Sequence, residues 1–130
     1  MPVSVDWKDQ DAGIIEIRFS REWTIAEYEQ ALRTCAELAS AVTYKIALLH
    51  VVPPNIKLPP HYLSNIRRFL SRSNGINTHT IMVVTPSLFT RLTVSTVKKL
   101  NNSERLIAAD DYDEAVKLCY QRAKAHGAPI

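Results

Sequence analysis

The side chains of this sequence that could ligate a metal or act as nucleophile and base include His50, His61, His79, Cys35 and Cys119. Zinc sites usually take such ligands from close pairs, C-x-x-C or H-x-x-x-H, because neighbouring ligands on one turn converge with little loss of chain entropy. No such pair occurs here. Each histidine reads as a satisfied or exposed single residue, and neither a structural metal nor a cofactor is expected. A Cys-His or Ser-His-acid set could assemble only in space, since the G-x-S-x-G elbow that presents a nucleophilic serine is absent. Both cysteines lie on apolar helical stripes, where a reduced thiol packs as a small hydrophobe. No catalytic residue is assigned. The carboxylates Asp110, Asp111, Asp113 and Glu114 crowd a helix start, where free amides and the helix dipole favour negative charge, so they read as capping groups.

Only Gly13, Gly75 and Gly127 are present, so the clustered glycines of a Walker or dinucleotide loop cannot be built. Arg67, Arg68 and Arg72 with Lys98, Lys99 and Arg105 could contact phosphates along a nucleic acid. Aromatic residues do not interleave with them as a stacking platform requires. A solvated helix face is the favoured reading, and nucleic acid is not expected as a partner.

These residues must be positioned by a short series of elements. Val3, Val5 and Trp7 alternate with polar residues, and the alternation resumes at Ile15, Ile17 and Phe19 after Lys8 to Gly13, which predicts a hairpin covered on one face. Thr24 and Glu27 form a capping box, with Trp23 and Tyr28 placed as its hydrophobic staple. The helix behind it carries Tyr28, Ala31, Leu32, Cys35, Leu38, Ala39 and Val42 inward, with Glu29 and Arg33 paired outside. Lys45 to Val52 is almost continuously apolar, as in a strand buried on both faces. Pro53-Pro54 ends it, and Pro59-Pro60 opens a second helix with Leu63, Ile66 and Leu70 inward and a stop at Asn74-Gly75. Thr78 to Val84 is another buried strand. Thr85-Pro86 then predicts the N-cap and first position of a third helix, whose Phe89, Leu92, Thr96, Val97 and Leu100 keep a helical period. Leu106 to Ala108 is a short strand, and Asp111 with Glu114 opens a final helix through Ala115, Val116, Cys119, Tyr120 and Ala123 to Gly127. Two strands followed by strand-helix alternation predict an α/β fold with a mixed sheet and right-handed crossovers.

The element order, together with REWTIAEYEQAL, KIALLHVV, LPPHYLSNIRRFL and TIMVVTPSLFTRL, resembles the bacterial SpoIIAA-like branch of the STAS superfamily, the anti-sigma-factor antagonists and their relatives. The tracts W-T-x-x-E-Y and L-P-P-x-x-L-S-x-I-R-R-F carry it, and it covers roughly Val5 to Ala125. The resemblance implies a single domain over residues 1–130, with a five-stranded sheet flanked by four helices. It also implies a regulatory, non-enzymatic role in protein-protein interaction. In regulated relatives a serine at the start of the helix after the third strand is phosphorylated. Here that stretch, Asn55 to Tyr62, contains no Ser or Thr, and Ser64 lies about a turn later, so the phospho-switch is not carried over. The resemblance places partner binding at Pro59, Pro60, His61, Tyr62, Ser64, Arg67 and Arg68.

With 130 residues, 46% of them apolar and 22% charged, the chain has a globular composition and can bury a core without disulfides. The opening MPVSVDW lacks a basic segment followed by an apolar run, and no stretch approaches the ~20 apolar residues that span a bilayer, which predicts a cytoplasmic protein without membrane attachment. The formal charge of +3 favours weak attraction to anionic partners. The stiff prolyl rim from Val52 to Arg68 suits a protein partner, because little order must be imposed on binding. Three functions follow: a protein-interaction module; a small-molecule or lipid-binding domain, as relatives of this fold hold apolar ligands between helices and sheet; and a hydrolase that would need His50 or His61 beside a nucleophile. The strand Val3 to Trp7 could pair with a second copy as a homodimer, or be blunted by Lys8 and Asp9.

Overall fold

The computed structural model describes residues 2–62, 64, 65, 68, 76–101 and 105–130. Among them are five strands, β1 (Val3–Asp9), β2 (Ile14–Phe19), β3 (Ile46–Val51), β4 (Thr78–Val84) and β5 (Leu106–Ala109), and three helices, α1 (Ile25–Ala39), α2 (Leu88–Asn101) and α3 (Tyr112–Ala125). The strands form one sheet in the order β1-β2-β3-β4-β5. β1 pairs with β2 antiparallel and the remaining pairs are parallel, so the sheet is mixed and the α/β class is as the sequence implies. The predicted second helix falls mostly outside the described residues, as do Leu63, Ile66, Arg67, Leu70, Arg72, Asn74 and Gly75. Tyr62, Ser64, Asn65 and Arg68 have helical backbone.

Alternation along the strands builds two cores. Ile15, Ile17, Ile46 and Leu48 face α1 with Ala31 and Cys35, while Ile14, Ala47, Leu49 and Met82 face the opposite side with Ala115 and Cys119 of α3. A third cluster joins Ile81, Leu106 and Val83 to Val94 of α2. Five of the six residues of β3 are buried, which is why its run is apolar without alternation.

The capping box of α1 is complete. Thr24 Oγ1 accepts from the Glu27 amide at 3.1 Å and Glu27 Oε1 accepts from the Thr24 amide at 2.8 Å. Trp23 and Tyr28 meet at 5.9 Å between ring centroids, closing the staple. α3 is capped by Asp111, whose carboxylate accepts from the Glu114 amide.

α2 corrects the sequence in two respects. Its cap is Ser87, whose Oγ accepts from the Thr90 amide at 3.3 Å, rather than Thr85. The Thr85 amide instead donates to Ala109 O at 2.9 Å, so the chain is still paired in the sheet there and cannot yet turn. Its phase also differs: Thr90 is buried and Val94 packs on the sheet, whereas Leu92 is 58% exposed and Thr96 is exposed. The side chains of Phe89, Val97 and Leu100 lie outside the described residues.

The hairpin turn rests on Gly13, at φ +68. A Cβ there would lie 3.0 Å from Tyr44 Cε2 and 3.3 Å from the Lys45 carbonyl oxygen. Both the left-handed backbone and the close approach exclude a side chain. Gly13→Ala is therefore expected to destabilise the fold by ~1–2 kcal/mol, the cost of the left-handed region alone, read as a lower urea midpoint at unchanged m-value.

Candidate functional site

At the C-terminal end of the sheet, on the side covered by α1 and α2, a cavity opens between the elements. β2 ends at Phe19, the link to α1 supplies Trp23, and the first turn of α1 supplies Tyr28. β3 brings His50, the chain after it brings Val52, Ile56, Leu58 and Tyr62, and α2 brings Thr90, Thr93 and Val94. Together with Leu32, Leu48, Ile81, Val83 and Leu106 these residues enclose a cavity of about 110 Å³ with an almost wholly apolar wall.

Its ordered corner is aromatic. Phe19 packs on Trp23 at 5.1 Å, on Tyr28 at 5.5 Å and, stacked, on His50 at 6.0 Å between centroids. Such pairs add cohesion beyond the area they bury. Tyr28 and His50 are also joined by a hydrogen bond of 2.8 Å between the phenol oxygen and Nε2. His50 Nδ1 lies 3.1 Å from Met82 O, which can only accept, so Nδ1 carries the proton and Nε2 accepts from the Tyr28 hydroxyl. The chain of bonds runs from α1 through β3 to β4.

Burial disfavours the charged imidazolium and pulls His50 down to about 4, despite the opposing pull of the Met82 carbonyl. Burial likewise raises the Tyr28 phenol above its ordinary value. Both groups are therefore neutral at physiological pH. The Cys35 thiol is pushed up to about 12 and Cys119 to about 11 by burial. A thiol so protonated is a poor nucleophile. Trp23 also lines the cavity, and its indole N–H is buried without an acceptor.

The residues singled out in the sequence follow Leu58 of the cavity wall in the chain. The Tyr62 amide donates to Pro59 O at 3.2 Å, and Asn65 donates to His61 O from both its amide and its side chain. His61 stands at φ +62, a conformation that non-glycine residues adopt at a cost. Pro60, His61, Ser64 and Arg68 are exposed, Pro59 and Tyr62 half-buried, and Arg67 lies outside the described residues. Of the set, Tyr62 faces the cavity. Arg68 Nη2 pairs with Glu29 Oε1 at 2.8 Å and Lys57 Nζ with Glu22 Oε1 at 3.0 Å, fastening the rim to α1 and to the link before it.

Neither a family model nor a curated protein nor a solved structure matches the chain.

Among the described residues no group of three His, Cys, Asp or Glu side chains is placed to hold a metal ion, and no helix is long and apolar enough to cross a membrane. The sequence patterning assigns Phe19, Trp23 and Tyr28 to a core face or a staple and weighs His50 as a metal ligand or hydrolase base, so it does not reveal the four as one site; the signal available was a polar residue, His50, inside the apolar β3 run.

The depressed value of His50 fixes a pH dependence. The unfolded chain takes up a proton near 6.5 and the folded one only near 4. Stability is thus fully present above pH 6.5 and is lost as the pH falls through 4. His50 alone accounts for roughly 3 kcal/mol across that window, and His79, also held at about 4, acts in the same direction. Urea unfolding at pH 7, 5.5 and 4.5 should show the decline, and His50→Gln should make it shallower, leaving the part that His79 contributes.

Proposed function

We propose that this protein is a non-catalytic binding domain that holds a small, mainly apolar molecule between its sheet and helices α1 and α2. The single observation that carries this reading is the apolar cavity of about 110 Å³. Apolar cavities of ~150 Å³ stay dry and take up a benzene-sized guest, so a single ring or a short alkyl chain is the size class here. Aromatic edges favour a ring against Phe19 and Trp23. Binding rather than turnover is supported by His50, whose two ring nitrogens are both already bonded, and by the protonated thiols.

A second reading, a SpoIIAA-like regulatory module binding a protein through the rim, draws support from the exposed Pro60, His61, Ser64 and Arg68 and from the strained backbone at His61. Tyr62 belongs to both surfaces, so a guest in the cavity would bear on the rim.

The test is a titration of methyl-labelled protein with benzene and with 1-hexanol, followed by NMR. Saturable shifts are expected at Leu48, Val52, Ile81 and Val83, with little change at Ile14 and Leu49 on the other face of the sheet. Val83→Phe, which fills the cavity, should weaken uptake at least ~10-fold, about 1.4 kcal/mol. Shifts that never saturate, or that spread equally over both faces, would reject the ligand-binding reading. A protein recovered from native extract by the wild type and lost with His61→Ala and Arg68→Ala, in the absence of such saturation, would favour the regulatory one.

A further inference from the structure

The opposite, N-terminal end of the sheet holds a second cluster that the cavity does not use. The pairing of β3 with β4 advances from Ile46 opposite Thr78 to Ala47 opposite Thr80, leaving His79 as an extra residue in β4. Bulges are uncommon in parallel pairs and characteristically re-aim a side chain. This one lays the His79 ring flat against His126, at the C-cap of α3, with centroids 4.8 Å apart and planes within 4°.

His79 is only 4% exposed. Its Nδ1 lies 2.8 Å from Thr80 Oγ1, and that oxygen also lies 3.5 Å from Arg122 Nη1. The Thr80 oxygen has two acceptor sites and one proton, so it can accept from Arg122 while either accepting from or donating to His79 Nδ1. In either case Nε2, on the other side of the ring, is buried without a partner among the described residues. A buried ring nitrogen left unpaired costs free energy comparable to a lost hydrogen bond, and an acceptor placed there would hold the imidazole proton on Nε2.

The surroundings define the acceptor's charge. Beyond burial, His126, Arg122 and Lys45 all act to lower the pKa of His79, to about 4, and no carboxylate offsets them. Arg105 reaches Thr78 Oγ1 at 3.2 Å on the same strand end. Among the described residues none of Lys45, Arg105 and Arg122 is in an ion pair. The dipole of α3 would by itself favour cations in its last turn and so explains Arg122 and Lys124. It explains neither the bulge, nor Lys45 and Arg105 on other elements, nor a buried ring nitrogen without a partner.

We propose that His79, Arg122, Lys45 and His126 form a binding site for a phosphate-type oxyanion, free or carried on a small monoester, which selects the Nε2–H form of His79, accepts a hydrogen bond from it and is neutralised by Arg122 and Lys45. Guanidinium and imidazole donors to phosphate are charge-assisted and short, and several must converge for useful affinity in water. The four side chains come from β4, α3 and the residue that enters β3, so occupancy would tie these elements together.

The experiment follows the imidazole nitrogens of His79 and His126 by long-range ¹H–¹⁵N NMR during titration with inorganic phosphate, with glycerol 3-phosphate, and with sodium chloride at matched ionic strength. Saturable shifts with either phosphate and not with chloride are expected, and tighter binding of orthophosphate or of the ester identifies which source the site prefers. Arg122→Gln and Lys45→Gln should each weaken binding about tenfold, equal to ~1.4 kcal/mol. Both positions are partly or fully exposed, so these variants should keep the wild-type methyl spectrum of the cavity. The site is overturned if chloride reproduces the shifts, if neither phosphate saturates, or if both variants bind as the wild type does while remaining folded. None of these outcomes depends on whether the apolar cavity takes a guest.

Discussion

The hydrogen-bonded chain Tyr28–His50–Met82 is the constraint on which the rest of this molecule turns. β3 is covered on both faces, so a polar residue within it can be retained only if every donor and acceptor it brings is matched. His50 meets that condition by spending one nitrogen on the backbone of β4 and the other on a tyrosine of α1. The match fixes how far α1 stands from the sheet at this end. Phe19 and Trp23 fill the space around the pair, and α2 approaches the sheet further over, at Ile81 and Leu106. The cavity is what remains between two helices whose positions are set separately.

That division explains which parts of the structure were legible in the residues. Local signals act over one turn and survive unchanged: the Thr24–Glu27 box, the Asp111 cap, the left-handed Gly13 and the unbroken apolar run of β3 are all where their chemistry puts them. The beginning of α2 was misread because Thr85 and Ser87 are both competent caps. What decided between them was a non-local bond, from the Thr85 amide to Ala109 across the sheet. The phase of that helix was misread for a related reason. Leu92 keeps the apolar period, yet it is Thr90, Thr93 and Val94 that face the sheet and the cavity, where a complete apolar stripe would have closed the space.

The sites themselves were less legible still. Tyr28 and His50 are 22 residues apart and become partners only through the parallel pairing of β2 with β3. The sequence weighed His79 as a metal ligand, because its type is visible in sequence and its register is not. A single extra residue in β4 changes what that side chain meets, from the α1 and α2 side of the sheet to the last turn of α3. No periodicity argument detects such a shift, since the residues on either side of a bulge each keep their own alternation.

The two histidines then illustrate how one perturbation can have opposite meanings. Both are buried, both are neutral, and both titrate near 4. For His50 burial is the main cause and both nitrogens have partners, so the low value records a completed interaction within an apolar wall. For His79 burial is joined by His126 and by the cations Arg122 and Lys45, and one nitrogen has no hydrogen-bond partner, so the same value accompanies uncompensated positive charge and an unsatisfied ring nitrogen. The first arrangement excludes ions and suits an apolar guest; the second is costly as it stands and is relieved by an anion. A sheet with its apolar opening at one end and its uncompensated cations at the other has the polarity to engage two unlike groups at once, separated by the length of its strands.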